Sequence, residues 1–185
     1  MAGRVRRRRW PHLVGSLLVV ALFAAGLWRE QQTLNEQHGR RGTDFLAAGE
    51  YAVLRVVDGD TLLLERGRTR VRLQGIDTPE TVKEDAPVEP WGPEASDYTK
   101  RFVSEADGRI RLELDGETAD RHGRQLAFVW HDERLLNEEL VRQGLAHAKL
   151  GYDYGAAMKA RLRKAEADAK ANHRGIWSAG GGTGR

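Results

Sequence analysis

The sequence predicts an α+β fold, a small closed Greek-key β-barrel of five strands with three helices, preceded by an N-terminal transmembrane helix. Three observations lead there. Five short β-branched or aliphatic runs are punctuated by turn dipeptides such as Asp58-Gly59 and Arg66-Gly67. Helical spacing enters only after the third run instead of alternating with every strand, which disfavours a βαβ sheet. Finally, a charge-free apolar stretch follows a cluster of arginines at the start of the chain.

That stretch comes first. Arg4 and Arg6 to Arg9 precede an apolar run from Leu13 to Trp28, the order of a signal-anchor. A helix from Trp10 to Trp28 would extend roughly 28 Å, close to the hydrocarbon thickness of a bilayer. The arginines should stay cytoplasmic and place everything after Arg29 on the other side of a single-pass span. The rival is a secretory signal cleaved near Ala24-Ala25-Gly26, but Phe23 or Leu22 falls where a small residue is needed. We therefore expect an anchor over residues 1–28 and a membrane-tethered protein, the cleaved alternative being secreted or periplasmic. Residues 29–49 are polar and Gln-rich and read as a linker. Residues 50–178 are expected to form the folded domain and 179–185 a Gly-rich tail.

Within the domain, Tyr51–Val57, Thr61–Glu65 and Thr69–Ile76 have strand character and tight turns between them. Residues 82–90 hold Pro87, Pro90 and several acids without periodicity, hence a loop. Pro93–Ala106 places Ala95, Tyr98, Phe102 and Val103 at helical spacing. Arg109–Leu114 alternates again, and Gln125–His131 is the fifth strand after a turn at Asp120–Gly123. Leu135, Leu136, Leu140 and Val141 mark a helix stopped by Gly144. Ala156–Ala171 is a longer helix with Gly175 as its expected C-cap and Ile176-Trp177 closing onto it. Five strands with late helices fit a barrel of the OB type.

Composition narrows the chemistry. The chain has no cysteine, so thiol catalysis, disulfides and thiolate metal centres are excluded and any metal must be held by oxygen or histidine. The net charge of +3 is not a property of the domain: residues 51–178 carry 21 Lys and Arg against 23 Asp and Glu. Bulk charge gives no reason to expect a polyanionic partner.

Three segments could carry chemistry. Asp58-Gly59-Asp60-Thr61 lies between two strands and serves as a hairpin turn in its simplest reading. Asp77-Thr78-Pro79-Glu80 has the form of a helix start, with Thr78 as N-cap and Pro79 at the first position. Arg72 shares a strand face with Arg70 and Gln74, opposite Val71 and Leu73. An arginine turned inward needs a partner, a carboxylate or a phosphate. Asp120-Arg121-His122-Gly123-Arg124 is a turn whose histidine is expected to face solvent. Taken together, these carboxylates and arginines, with no serine–histidine or metal–histidine spacing, suit a hard divalent cation beside a phosphodiester.

The motifs Val57-Asp58-Gly59-Asp60-Thr61, Val71-Arg72-Leu73, Ile76-Asp77-Thr78-Pro79-Glu80-Thr81, Trp91-Gly92-Pro93-Glu94-Ala95, Asp120-Arg121-His122-Gly123-Arg124 and Gly175-Ile176-Trp177-Ser178 stand in one order and spacing. On them the sequence resembles the staphylococcal nuclease (thermonuclease) family from about Tyr51 to Trp177. The resemblance implies calcium-dependent hydrolysis of DNA and RNA phosphodiesters, leaving 3′-phosphate ends. It implies Asp60 and Asp77 as carboxylate ligands of Ca2+ and Thr78 as a ligand through its carbonyl, with Asp58 in an outer shell. Arg72 and Arg124 would bind phosphate, and Glu80 would position or deprotonate the attacking water. Two positions depart from the family: the 82–90 loop is acidic where lysines are common, and Leu150 replaces an aromatic residue, leaving Tyr152 as the expected nucleotide contact. The rival function is a noncatalytic OB module that binds single-stranded nucleic acid or a protein. No dimer seam is visible, so a monomer is expected.

Overall fold

The computed structural model describes residues 45–81 and 88–178. The expected anchor, most of the linker, residues 82–87 of the acidic loop and the tail lie outside the described residues. Among the described residues no helix is long and apolar enough to cross a membrane.

The strands are β1 (Gly49–Asp58), β2 (Thr61–Leu64), β3 (Arg70–Leu73), β4 (Ile76–Asp77), β5 (Arg109–Glu113), β6 (Gln125–His131), β7 (Arg134–Leu135) and β8 (His147–Ala148). The helices are α1 (Gly92–Glu105), α2 (Leu136–Arg142) and α3 (Ala156–Ala171). β3, β2, β1, β5 and β6 follow one another around the sheet, and parallel pairing of β3 with β6 closes it. Closure is possible because β1 is long and irregular. Its first residues pair with β5 and its later ones with β2, with register shifts between Val53 and Arg55 and between Val56 and Asp58. Such bulges bend a strand and increase its twist. This is the five-stranded OB-type barrel with three helices that the sequence predicts.

Leu62, Leu64, Val71, Leu73, Ile110, Leu112 and Phe128 fill the barrel. The helices close over it with Phe102 from α1, Leu136 and Leu140 from α2, and Leu162 from α3, each at most 1% exposed. α1 and α2 are joined by a polar clasp in which the Tyr98 hydroxyl donates to Glu139 Oε2 at 2.9 Å and Arg134 donates to both Glu139 oxygens. Burial, reinforced by that carboxylate, pushes the Tyr98 phenol up to about 12.

Three local expectations need correction. The domain includes residues before 50: Leu46 is in the core, and its backbone N–H donates to the Gln125 side chain at 2.6 Å. The run Thr69–Ile76 is not one strand. It turns at Gln74-Gly75, where Gly75 has φ +75°, and only then resumes as β4, paired with β8. Periodicity could not reveal this turn because distant groups make it. Gln74 Nε2 donates to the carbonyls of Asp115 and Glu117, and Asn137 Nδ2 donates to the Gln74 carbonyl at 2.9 Å. A Cβ on Gly75 would lie 2.9 Å from Leu162 and Tyr154, so both conformation and space require glycine there. Gly175 is not the C-cap of α3 either. His173 takes the left-handed conformation at φ 51°, while Gly175 lies against the Gly144 carbonyl, which accepts the Ile176 N–H at 2.9 Å.

Asn137 is fully buried and also accepts the Val129 N–H at 2.9 Å through Oδ1. Asn137→Ala strands a donor and an acceptor inside the core, so it should lower unfolding free energy by about 2 to 4 kcal/mol. The expected reading is a lower urea midpoint at unchanged slope.

Candidate active site

Several strands and the turns between them contribute to the site. Asp60 stands in the β1–β2 turn, where Oδ1 accepts from the Thr61 hydroxyl at 3.0 Å and Oδ2 accepts the Thr78 backbone N–H at 3.0 Å. Antiparallel pairing of β2 with β3 sets Thr61 opposite Arg72, which brings the guanidinium to the turn. Arg72 Nη1 pairs with Asp60 Oδ2, and Nη2 donates to Asp77 Oδ1 at 2.6 Å. Val71 and Leu73 face the core, so Arg72 lies on the other side of the strand with its charge neutralised by two carboxylates. Burial lowers the Arg72 pKa. Asp77 opposes that shift, and nearby Arg124 reinforces it.

The Asp77–Glu80 segment is not a helix start. Thr78, Pro79 and Glu80 form no regular structure, and side chains from elsewhere hold the segment. Asp58 accepts the Thr81 hydroxyl at 2.5 Å as well as the Gly59 N–H at 2.8 Å. It therefore serves as a clasp between the β1–β2 turn and Thr81. Helix α1 presses on both segments. Thr99 Oγ1 donates to the Gly59 carbonyl at 2.6 Å. A Cβ on Gly92 would lie 3.0 Å from the carbonyls of Pro79 and Glu80, and one on Gly59 would lie 2.8 Å from Ala95. Glu80 is steadied through its backbone, which exchanges hydrogen bonds with Glu89: its N–H donates to Glu89 Oε2 at 3.1 Å, and its carbonyl accepts the Glu89 N–H at 3.0 Å.

On the neighbouring strand, where β6 pairs in parallel with β3 and sets Leu126 opposite Arg72, the preceding turn presents Arg124. Asp120 Oδ1 accepts the N–H groups of His122 and Arg124 at 2.9 Å each, and Oδ2 accepts Arg124 Nε at 2.6 Å. The turn carboxylate thus fixes both the loop and the guanidinium. Burial pushes the Asp120 carboxyl up, but the Arg124 and His122 hydrogen bonds outweigh it, and its pKa lies below the ordinary value. His122 is exposed, as expected.

These segments border a cleft of about 470 Å³, lined among others by Arg72, Asp77, Glu80, Arg124, Lys149 and Tyr152. Asp60 and Thr78 are buried beside this lining and are not part of it. Of the residues singled out from sequence, Asp60, Arg72, Asp77 and Thr78 are joined by direct contacts, while Glu80, Arg124 and Tyr152 share the cleft. Four contributors were not anticipated: Thr81, Thr99, Asp120 and Lys149. Asp120 could have been found from its position two residues before His122 and four before Arg124, the spacing of an Asx-type turn. A lone Lys149 carries no such signal.

Among the described residues no three acidic or histidine side chains gather at one point. The candidate metal donors are hard oxygens: two carboxylates, with the buried and unpartnered Thr78 hydroxyl beside them. That set fits a calcium-like cation completed by backbone and water oxygens better than a transition metal.

A closed OB-type barrel with paired carboxylates and two arginines at one cleft defines a protein built to handle a phosphate ester. The comparisons with known proteins agree. Residues 70–179 match the family model described as staphylococcal nuclease homologue. Thermonuclease of Staphylococcus hyicus is 42% identical over 130 residues, covering 69% of this chain and 75% of that protein. Thermonuclease of Staphylococcus intermedius is 41% identical over 129 residues with the same coverage, and endonuclease YncB of Bacillus subtilis (strain 168) is 35% identical over 130 residues, covering 69% of this chain and 61% of that protein. The chain belongs to the staphylococcal nuclease family.

The Asp120 clasp has a pH signature. A carboxylate whose folded pKa is depressed stabilises the fold above its unfolded value and loses that contribution as pH falls through the folded value. Asp120→Asn should therefore lower the urea midpoint at pH 7, and the deficit should shrink as pH is taken below the ordinary carboxylate value of 3.8. Paired urea titrations of wild type and variant between pH 7 and pH 3 check the sign.

Proposed function

We propose that this protein is a calcium-dependent nuclease that hydrolyses phosphodiester bonds of DNA or RNA, leaving 3′-phosphate ends. The observation that carries the reading is the meeting of Asp60, Arg72 and Asp77 in one contact network beside Glu80 and Arg124. Asp60, Asp77 and the Thr78 carbonyl would hold the metal, which when bound supplies positive charge to the phosphate oxygens and Lewis acidity at the cleft. Its charge matters because four cationic side chains of the lining face four carboxylates, and Asp60 adds a fifth.

The chain's own groups perform the remaining tasks. Arg72 is desolvated and held from two sides, so its guanidinium is fixed before substrate arrives and pays little reorganisation as charge grows on phosphorus. Arg124, clamped by Asp120, meets the ester from the turn before the adjacent strand β6. Glu80 faces the same cleft and orients a water or takes its proton. Tyr152 is 58% exposed at the rim, where its ring offers a stacking face to a base or sugar. A noncatalytic OB binding face would rely on several such rings, whereas among the described residues Tyr152 and His122 are the only ring side chains lining this cleft.

The Arg-rich start and the Leu13–Trp28 apolar run support a single-pass anchor with the nuclease domain outside the cytoplasm. Asp60, Arg72 and Glu80 all lie within one domain, consistent with a monomer as the working unit.

In detergent, the full chain should cleave DNA or RNA with calcium and stop on chelation. Arg72→Ala, Arg124→Ala and Glu80→Ala should each cost about a hundredfold or more in rate, roughly 3 to 4 kcal/mol, with circular dichroism unchanged. Undiminished cleavage by these folded variants would sink the assignment. Alkaline carbonate washing of membranes tests the tether: the protein should stay in the pellet, and deletion of residues 1–28 should release it.

A further inference from the structure

Lys149 was not anticipated, and its placement gives it a role. Its backbone is pinned on both sides: the N–H donates to the Gly75 carbonyl at 2.8 Å, and its carbonyl accepts the Tyr154 hydroxyl at 3.0 Å. Tyr154 is in turn buried against Phe128, with ring centroids 5.6 Å apart. Only the side chain of Lys149 is left to move. Its ammonium reaches across the β8–β4 pair into the cleft and rests 3.1 Å from Asp77 Oδ2.

Asp77 thus has both oxygens in use, Oδ1 by Arg72 at 2.6 Å and Oδ2 by Lys149. A cation entering between Asp60 and Asp77 must take at least one of them. The two present holders are unequal. Arg72 is 14% exposed and also pairs with Asp60, whereas Lys149 is 41% exposed and, among the described residues, pairs with no second carboxylate. An ammonium on a flexible four-carbon stem is a compact, strongly hydrated charge that leaves one partner for another at little cost.

The geometry points to Lys149 as a displaceable counter-ion of Asp77. It occupies Oδ2 while the metal is absent, yields that oxygen when a divalent cation binds, and then offers its charge to a phosphate of the nucleic acid in the same cleft. This rests on the metal site proposed above and extends it to the order of assembly: metal entry creates a third phosphate-binding cation beside Arg72 and Arg124. Lys149 is a positioning and substrate-binding residue, with no part in bond breaking.

The sign of the effect separates this role from a structural one. Calorimetric titration of the chelator-treated full chain with calcium chloride should show Lys149→Met binding calcium about threefold or more tightly than wild type, because a competitor is gone. Damage to the site would weaken binding instead. Lys149→Arg should restore the wild-type affinity. In a Glu80→Gln background that suppresses turnover, binding of a fluorescein-labelled single-stranded oligonucleotide in saturating calcium should be weaker in Lys149→Met, and the slope of log affinity against log salt should be shallower by about one phosphate contact. Equal or weaker calcium binding by Lys149→Met, or an unchanged salt slope, overturns the inference while leaving the nuclease assignment intact. Absence of calcium binding by wild type overturns both.

Discussion

The structure of the cleft depends on one partly buried guanidinium. Arg72 is held between Asp60 and Asp77, and removing either carboxylate would leave a desolvated positive charge short of a partner, one of the costlier defects in a folded protein. The same contact sets strand register. With Thr61 opposite Arg72, Val71 and Leu73 fill the barrel. A slip by one residue would exchange those faces, sending the arginine into the apolar interior and both aliphatic side chains into the cleft. Core packing and site chemistry therefore select the same pairing.

The acids of the site divide by what they accept. Asp58 and Asp120 accept backbone N–H groups within their own turns, and Asp60 accepts one from Thr78, so they build the loops whose geometry they also charge. Asp77 and Glu80 turn their carboxylates to the cleft. This division explains why a hairpin reading of Asp58-Gly59-Asp60 and a ligand reading of Asp60 do not compete. The turn is real, and its carboxylates are what fasten the third strand and the Thr78–Thr81 segment around it. Asp58, whose family resemblance implies an outer-shell role, has direct partners in Gly59 and Thr81, so any influence it has on a bound ion runs through that segment's position.

What could be seen in the sequence was what neighbouring residues decide. Alternation in Arg109–Leu114 and helical spacing in Pro93–Ala106 and Ala156–Ala171 report local periodicity, and the elements formed within a residue or so of those bounds. The Gln74-Gly75 turn was hidden because Asp115, Glu117 and Asn137 create it from 40 residues or more away. Gly175 is left-handed as well, at φ 52°, but His173 takes that conformation directly after α3 while Gly175 is committed to a backbone contact with Gly144. For the site, residue types marked Arg72, Asp77 and Glu80, and the clamp of Asp120 on Arg124 is local, with the spacing of an Asx-type turn. Nothing in the order of residues announced that Lys149 would reach Asp77, which follows from the strand pairing that brings the β8 segment to β4.

Helix α1 links this arrangement to the core. Gly92 and Ala95 are small where the helix meets the site, and Thr99 ties the β1–β2 turn to it from below, while Phe102 one turn further on is buried with the barrel. A larger side chain at Gly92 would push against the carbonyls of Pro79 and Glu80, displacing the segment that carries Asp77 and Glu80 before it disturbed the barrel. The site is therefore set by close packing, in which shifts of a few tenths of an ångström are resisted by a dense interior. Freedom is confined to side chains that end in the cleft, above all Lys149, whose backbone is fixed at both ends. A rigid pair of carboxylates with one mobile cation beside them can exchange that cation for another without moving the wall.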